Sequence, residues 1–395
     1  MNRDDMTSGE KGPPLAAPIV ISALEPLLMT PMEAVEEERA WSMLAEHAVE
    51  PNPFFRPEFL LSYLHHVESE PITIAAVRRR GGGGLAGLMP LGRKSLGLAW
   101  TAPHVWTHPY APLGTPLLAP DCAQAAAEKL LRVVMSHMGT LLAMPQQRLD
   151  GPVVAAFRDA VVAARLKLDD TAHYQRPVLS LDGTMEQYLQ QISGQRRRRY
   201  AKGYRRLKEQ GHLVRDHLHG AQAVKAFEDF LVLEQAGWKG ESETALASNP
   251  YHAAFAREAA QEFANSGKLL LDRLRLDDRT IAVVVSFRDG PRAFAWKIAF
   301  DEEQASQSPG VQVMLAAMEG YFASADLSEV DSLAGQASSL IDGMWKDRAA
   351  FGTLLIAGGR GAGVRMAMAH ADIAAHDTAR RSAKGVLSHL LKMRK

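Results

Sequence analysis

Three runs, KLLLDRLRL, TIAVVVSFR and RAFAWKIAF, follow one another between Lys268 and Phe300 with only DDR and DGP between them. Connections this short close hairpins, so the runs pair in sequence as an antiparallel meander. Upstream, HLVRDHLH (212–219) alternates like a strand, and AVKAFEDFLVLEQAG (223–237) sets Val224, Phe227, Leu231 and Glu234 at helical spacing. A second helix, AAFAREAAQEFANSG, ends at Gly267, as helices commonly do. Downstream, QSPGVQVMLAAMEGYFA (307–323) reads as a helix and SEVDSLA (328–334) as a short strand. A helix is expected around MWKDRAAFG and a strand at TLLIA (353–357). The order is β, α, α, β, β, β, α, β, α, β.

The first half repeats this order with weaker signals. Helices are expected at 33–47, 57–66, 122–138 and over GPVVAAFRDAVVAAR, and strands at 72–78, 85–93, 140–145 and near LKLDD. Where the second half has QSPGVQ, the first has PYAPLGTPLL, which does not start a helix promptly. The fold class expected is therefore mixed α/β (α+β), with two tandem domains at 18–180 and 212–360. Each is a mostly antiparallel mixed sheet flanked by helices. Between them, 181–211 reads as a basic linker, either one long helix or a helix interrupted near Gly194 and Gly203. Residues 1–17 read as a disordered leader. The tail, 361–395, ends in ARRSAKGVLSHLLKMRK, a basic amphipathic helix suited to docking on a protein or a membrane surface.

Composition excludes several classes. With 47% hydrophobic and 23% charged residues the chain has the balance of a folded protein. Forty-five basic residues offset forty-five acidic ones, so nucleic acid or anionic membrane could attract it only through a local patch. The one dense run is Arg196 to Lys208, with eight basic residues. A lone cysteine, Cys122, rules out an internal disulfide and a cysteine metal cluster and favours a reducing compartment. HExxH and GxSxG are absent, so no metal and no serine nucleophile are expected. The polar, acidic N-terminal stretch is unlike a signal peptide, and no apolar run approaches the roughly 20 residues that span a bilayer. The expected location is the cytoplasm.

The start of the 307–323 helix carries a residue that helix formation does not need. Ser308 stands where an N-cap would accept from an amide, and Pro309 at the first helical position has no amide to leave unpaired. Gly310 costs about 1 kcal/mol relative to alanine in a helix, so a close approach to its backbone is the reading that explains it. Unpaired amides and the helix dipole make such a terminus ready for a phosphate.

The element order, together with PNPFFRPEFL (51–60), RRRRYAKGYRRLKEQGHL, FLVLEQAGWKG, AWKIAFDEE, QSPGVQ and IDGMWKDR (341–348), resembles the double-domain GNAT proteins of the CelD-type cellulose-biosynthesis acetyltransferases. More distantly it is similar to the FemAB aminoacyltransferases. The resemblance implies two GNAT-like domains, the first degenerate. It implies acyl transfer from acetyl-CoA, as co-substrate, to an amine of an envelope or exopolysaccharide precursor. By the same resemblance, Gln307, Ser308, Pro309, Gly310, Val311 and Gln312 would hold the CoA pyrophosphate, and Trp296 and Ile298 would border the pantetheine arm. Gln312 departs from the small residue usual in that loop. RGAGVR (360–365) resembles the loop too, but follows the sixth strand, where the fold does not put CoA.

Among catalytic candidates, Glu234 and Asp331 are the carboxylates that could serve as general base, and Lys297 could steady negative charge on the acyl oxygen. By the resemblance, Tyr321 could protonate the leaving thiolate. Strand alternation would turn Trp296 and Lys297 to opposite faces. GWKG would set Trp238 and Lys239 on a loop at the acceptor side, the one to stack and the other to hold an anion. Two rival readings stand beside acetyl transfer: transfer from aminoacyl-tRNA, with the Arg196–Lys208 run on the RNA, and a non-catalytic module that senses cyclic di-GMP there. A solvated helix face is the plain alternative for that run.

Overall fold

The computed structural model of the chain describes residues 23–67, 71–335 and 341–393. The expected leader, 1–17, lies outside them, as do most of the side chains behind the amphipathic reading of the tail. The first half runs β1 (Leu24–Met29), α1 (Pro31–Glu36), α2 (Glu38–His47), α3 (Pro57–His66), β2 (Thr73–Arg79), β3 (Leu85–Ser95), β4 (Thr101–Val105), β5 (Leu117–Leu118), α4 (Ala123–His137), β6 (Leu141–Arg148), α5 (Pro152–Ala163) and β7 (Lys167–Ser180). Two helices, α6 (Met185–Gln190) and α7 (Gly194–Lys208), lead to the second half. That half runs β8 (Leu213–Leu218), α8 (Gly220–Ala236), α9 (Trp238–Glu241), α10 (Pro250–Asn265), β9 (Leu269–Leu276), β10 (Arg279–Asp289), β11 (Arg292–Phe300), α11 (Pro309–Ala323), β12 (Glu329–Asp331) and β13 (Asp347–Ala357), and α12 (Ala362–Met393) follows.

The meander forms as the short connections require, with β9, β10 and β11 antiparallel in order. In both halves the strand after the next helix adds parallel to the meander, β6 on β4 and β12 on β11. The halves then share one mixed sheet, in the order β1-β2-β3-β4-β6-β13-β7-β12-β11-β10-β9-β8. The last strand of the second half, β13, lies between β6 and β7, with Leu355 opposite Ala143 on one side and Asp169 on the other. The far end of β7, Val178–Ser180, continues across to pair with β12.

Two expectations are corrected. MWKDRAAFG is not a helix: from Asp347 it is strand, because β6 and β7 offer hydrogen-bonding edges on both sides, and tertiary pairing overrides a weak local preference. The linker breaks before Gly194, while Gly203 sits inside α7. Strands β1 and β4 carry little alternation of their own, and the sequence did not reveal them.

Helices α8 and α10 cover one face of the second meander, where Phe227, Phe230, Phe255 and Phe263 bury against Val283, Val285 and Phe287. Helix α11 covers the other with Val313, Met314, Ala317 and Met318 on Ile281, Ala282 and Val284. Each such large side chain contributes about 1.5–3 kcal/mol when fully removed from water.

The segment PNPFFRPEFL docks the first half onto the second. Asn52 accepts from the Phe54 amide and donates to the carbonyls of Leu113 and Thr115, which fixes the turn before α3. Arg56 is buried, 2.8 Å from Asp289 and 3.0 Å from Glu46, and pairs with Glu58 through both oxygens. Phe59 meets Phe255 and Trp296 edge-on, with centroids 5.2 and 6.0 Å away.

Candidate active site

The site begins with an irregularity in β11. Val285 pairs with Lys297 and Ser286 with Ala295, so Trp296 is an extra residue with no partner on β10. A bulge of this kind cancels one step of alternation. Trp296 and Lys297 consequently lie on the same face, the one covered by α8, and not on opposite faces as alternation implied.

Lys297 finds Glu234 there. Its Nζ lies 3.1 Å from Glu234 Oε1, and Lys239 Nζ lies 3.0 Å from the same oxygen. The Leu246 amide donates to Oε2 at 2.9 Å. Glu234 ends the apolar stripe of α8 and is 3% exposed. Burial alone would raise its pKa, but the Lys297 and Lys239 ammonium groups and the Leu246 amide hold it below the usual carboxylate value. Burial lowers Lys297 despite the opposing pull of Glu234. Lys239 reaches inward because Gly237 ends α8 and the next residues turn at once into α9, which replaces the expected loop. Trp238 parts from it, 57% exposed, with its amide on Glu302 Oε1 at 2.9 Å.

The first half closes the other side. Tyr110 presents its carbonyl to Trp296 Nε1 at 2.8 Å, and its ring centroid lies 5.0 Å from Lys297 Nζ. Its hydroxyl is 3.0 Å from His252 Nδ1 on the first turn of α10. His108, pushed down to about 4 chiefly by burial, meets Tyr110 at a tilt of 58° with centroids 4.9 Å apart. Sequence reasoning did not single out Tyr110, His108 or His252. The only signal was that PYAPLGTPLL delays a helix where the second half starts one.

Two other candidates stand elsewhere. Asp331 accepts from the Leu333 amide at 2.7 Å and pairs with buried Arg176 at 3.2 Å, where the halves meet. Arg176 also donates to the carbonyl of Pro112 and to Gln146 Oε1 and covers the Phe351 ring. Tyr321 is on the α11 face, its hydroxyl 2.6 Å from Ser286 Oγ, and burial drives its pKa well up. It borders a cavity of about 560 Å³ that also holds the His217–Asp272 pair.

The start of α11 differs in detail from its sequence reading. Residues 302–307 form a turn of 3₁₀ helix, and Ser308 takes a left-handed conformation with φ 57° and ψ 55°. Its side chain caps nothing; its carbonyl accepts from the Val311 and Gln312 amides instead. Pro309 and Gly310 are buried. Helix α7 lies across this terminus. Gln312 donates to the Tyr200 carbonyl at 2.9 Å, and a Cβ on Gly203 would stand 2.7 Å from the Gln307 carbonyl. Beside them Arg196, Arg199, Tyr200, Ser308, Val311 and Gln312 enclose about 170 Å³. Two guanidinium groups beside a helix N-terminus fit a phosphate-sized anion, and the space is below the roughly 300–1,000 Å³ of a site for a larger ligand. Ile298 borders the narrow crevice between Lys239 and Phe300. In RGAGVR, the Arg365 side chain takes the carbonyls of Gly358 and Arg360.

Residues 194–347, from α7 to the first residue of β13, match the acetyltransferase (GNAT) domain family. This stretch is similar to a GNAT acetyltransferase domain. Solved structures extend the likeness to both halves. A conserved protein of unknown function from Bacteroides thetaiotaomicron superposes with a TM-score of 0.52 at 9% identity, over 84% of this chain and 100% of that one. FemX gives 0.53 at 10% identity, over 84% and 96%. The C-terminal domain of a putative lysylphosphatidylglycerol synthetase from Agrobacterium fabrum gives 0.53 at 10%, over 84% and 94%. At such identities the likeness is one of fold. No curated protein matches the chain.

Within the matched stretch, Glu234, Lys239 and Lys297 form one cluster, and the first half adds Tyr110 to it. Among the described residues no group of three or more His, Cys, Asp or Glu side chains could hold a metal ion, and no helix is long and apolar enough to cross a membrane.

Proposed function

We propose that the protein is an N-acyltransferase that moves an acetyl group from acetyl-CoA to an amine of an envelope or exopolysaccharide precursor in the cytoplasm. The observation that carries this reading is the Lys297 ammonium, set by the β11 bulge inside a GNAT domain and held against Glu234. Lys297 would stand where negative charge grows on the acyl oxygen, and a desolvated cation fixed in advance is worth most there. Glu234, ionised and shared between two lysines, would position Lys297 rather than take a proton. The α11 terminus with Arg196 and Arg199 would receive the pyrophosphate, and Trp238 would meet the acceptor from its exposed place beside Lys239.

The test is release of CoA thiol from acetyl-CoA over a panel of amino sugars, amino acids and polyamines, with Arg196→Ala/Arg199→Ala as the weakened binder. Turnover with one class of amine supports the reading, whereas no CoA binding by calorimetry would end it. A second reading, transfer from aminoacyl-tRNA, is favoured by the exposure of Arg197, Arg198, Arg205 and Arg206 along α7. Affinity for tRNA, lost on neutralising those arginines and joined to indifference to CoA, would select it. Binding of cyclic di-GMP without turnover would select a sensor.

A further inference from the structure

An ammonium acceptor must lose a proton before its nitrogen can attack, and neither Glu234 nor Asp331 is free to take one. Glu234 is spent on two ammonium groups and an amide, and Asp331 on Arg176 and the Leu333 amide. One imidazole stands at the same place without a charged partner. His252 is half exposed, and among the described residues its hydrogen-bond partner is Tyr110, the residue whose ring Lys297 faces. Tyr110 is itself fixed from both sides: Trp296 Nε1 donates to its carbonyl, and its own amide donates to His108 Nδ1 at 3.2 Å. A ring nitrogen that accepts an amide hydrogen carries no proton, so His108 is a neutral support for the tyrosine.

We propose that His252 is the general base for the acceptor amine, with Tyr110 of the other half as its positioning residue. The inference rests on the N-acyltransfer reading above. Tyr110 Oη accepts from Nδ1–H of His252, and this leaves the Nε2 lone pair open to the acceptor. The ammonium gives one proton to Nε2. The nitrogen then forms its bond to the acyl carbon, the carbon–sulfur bond breaks, and the second amine proton goes to the departing thiolate. The products are the amide, the CoA thiol and a His252 imidazolium, which returns its proton to water. Burial lowers the pKa of His252, so the ring is uncharged near neutral pH. The titratable groups that face it are Tyr110 and His108 from the first half, and Lys297 on β11 and Glu234 on α8 act on Tyr110 instead. Glu258, farther along α10, is held by His65 and His66 of α3.

The experiment compares acceptors in two protonation states, with the full chain and acetyl-CoA. Glucosamine, lysine and spermidine arrive as ammonium ions, while hydroxylamine is already uncharged at neutral pH. His252→Ala should slow thiol release to the ammonium acceptors by roughly 10²-fold and erase the acidic limb of the pH profile. It should slow the hydroxylamine reaction far less, and an acetyl-CoA affinity by calorimetry equal to the wild type's certifies the fold. Tyr110→Phe should keep that limb but move its midpoint. Full activity of His252→Ala with ammonium acceptors, or an equal loss with hydroxylamine, would overturn the role of His252 alone. A wild-type protein that releases no thiol with any acceptor would overturn the transfer reading, and this inference with it.

Discussion

The two halves share a plan and part at one connection. In the second half, a six-residue 3₁₀ helix joins β11 to α11, so the helix terminus comes closely off the bulged strand. In the first, residues 106–122 intervene between β4 and α4, and they run away from their own helix towards the partner half. There Pro112 receives Arg176, and Tyr110 receives Trp296 and faces Lys297. Helix α4 starts behind Cys122 with no side-chain cap. One copy of the plan thus starts its helix directly off the strand, under α7, while the other gives up that place and packs Tyr110 against its neighbour's Trp296 and Lys297.

The comparison can be broken at the exchange of strands. Arg176→Met leaves Asp331 buried without its cation where the halves meet, and such a loss costs about 3–5 kcal/mol. Urea unfolding should show that drop. A loss under about 1 kcal/mol would mean that the junction contributes little, and that the halves stand on their own cores. The next largest effect is chemical. Lys297→Met should cut thiol release about 10²–10³-fold, the range for removing one preorganised charge-stabilising group, with CoA affinity by calorimetry unchanged. Equal weakening of CoA binding and turnover would move Lys297 from the chemistry to ligand binding.

A smaller effect tests the covered terminus of α11. Gly203→Ala would force a Cβ to within 2.7 Å of the Gln307 carbonyl, so α7 must shift. Overpacking of this kind costs about 1–3 kcal/mol, and CoA affinity should fall with it if Arg196 and Arg199 serve the pyrophosphate. Stability lost with CoA affinity intact would detach α7 from that role.

The smallest effect concerns the docking of α3. Burial is the main influence on Asp289 and pushes its carboxyl up to about 6, against the pull of Arg56. A raised folded-state pKa means that the folded protein holds the proton more tightly than the unfolded chain. Ionising Asp289 therefore weakens the fold as pH rises from about 4, near the ordinary aspartate value, through about 6, and the full cost applies above that window. Unfolding followed across this range should fall less steeply for Asp289→Asn than for the wild type, and parallel curves would show that Asp289 does not titrate there.

Much of the plan was legible in local patterns. The meander needed only its two short connections, and α8, α10 and α11 announced themselves by apolar spacing. Glu234 and Lys297 were nameable as single residues, Glu234 from its place on a buried stripe. Their contact was not, because it depends on a bulge that sequence periodicity denies. Tyr110 and His252 were hidden for a different reason: each gains its place from a residue more than a hundred positions away. MWKDRAAFG misled because its partners, β6 and β7, belong to the other half.

The sequence by itself determined the order of elements, the antiparallel pairing of the meander and the glycine-bearing start of α11, since all three follow from neighbours in the chain. Only the tertiary structure decided that both halves share one sheet, that Trp296 and Lys297 face the same way, and that Asp331 is held by Arg176. Those outcomes depend on which distant hydrogen-bonding edges and buried charges find each other, and that is settled by the packing of the whole chain.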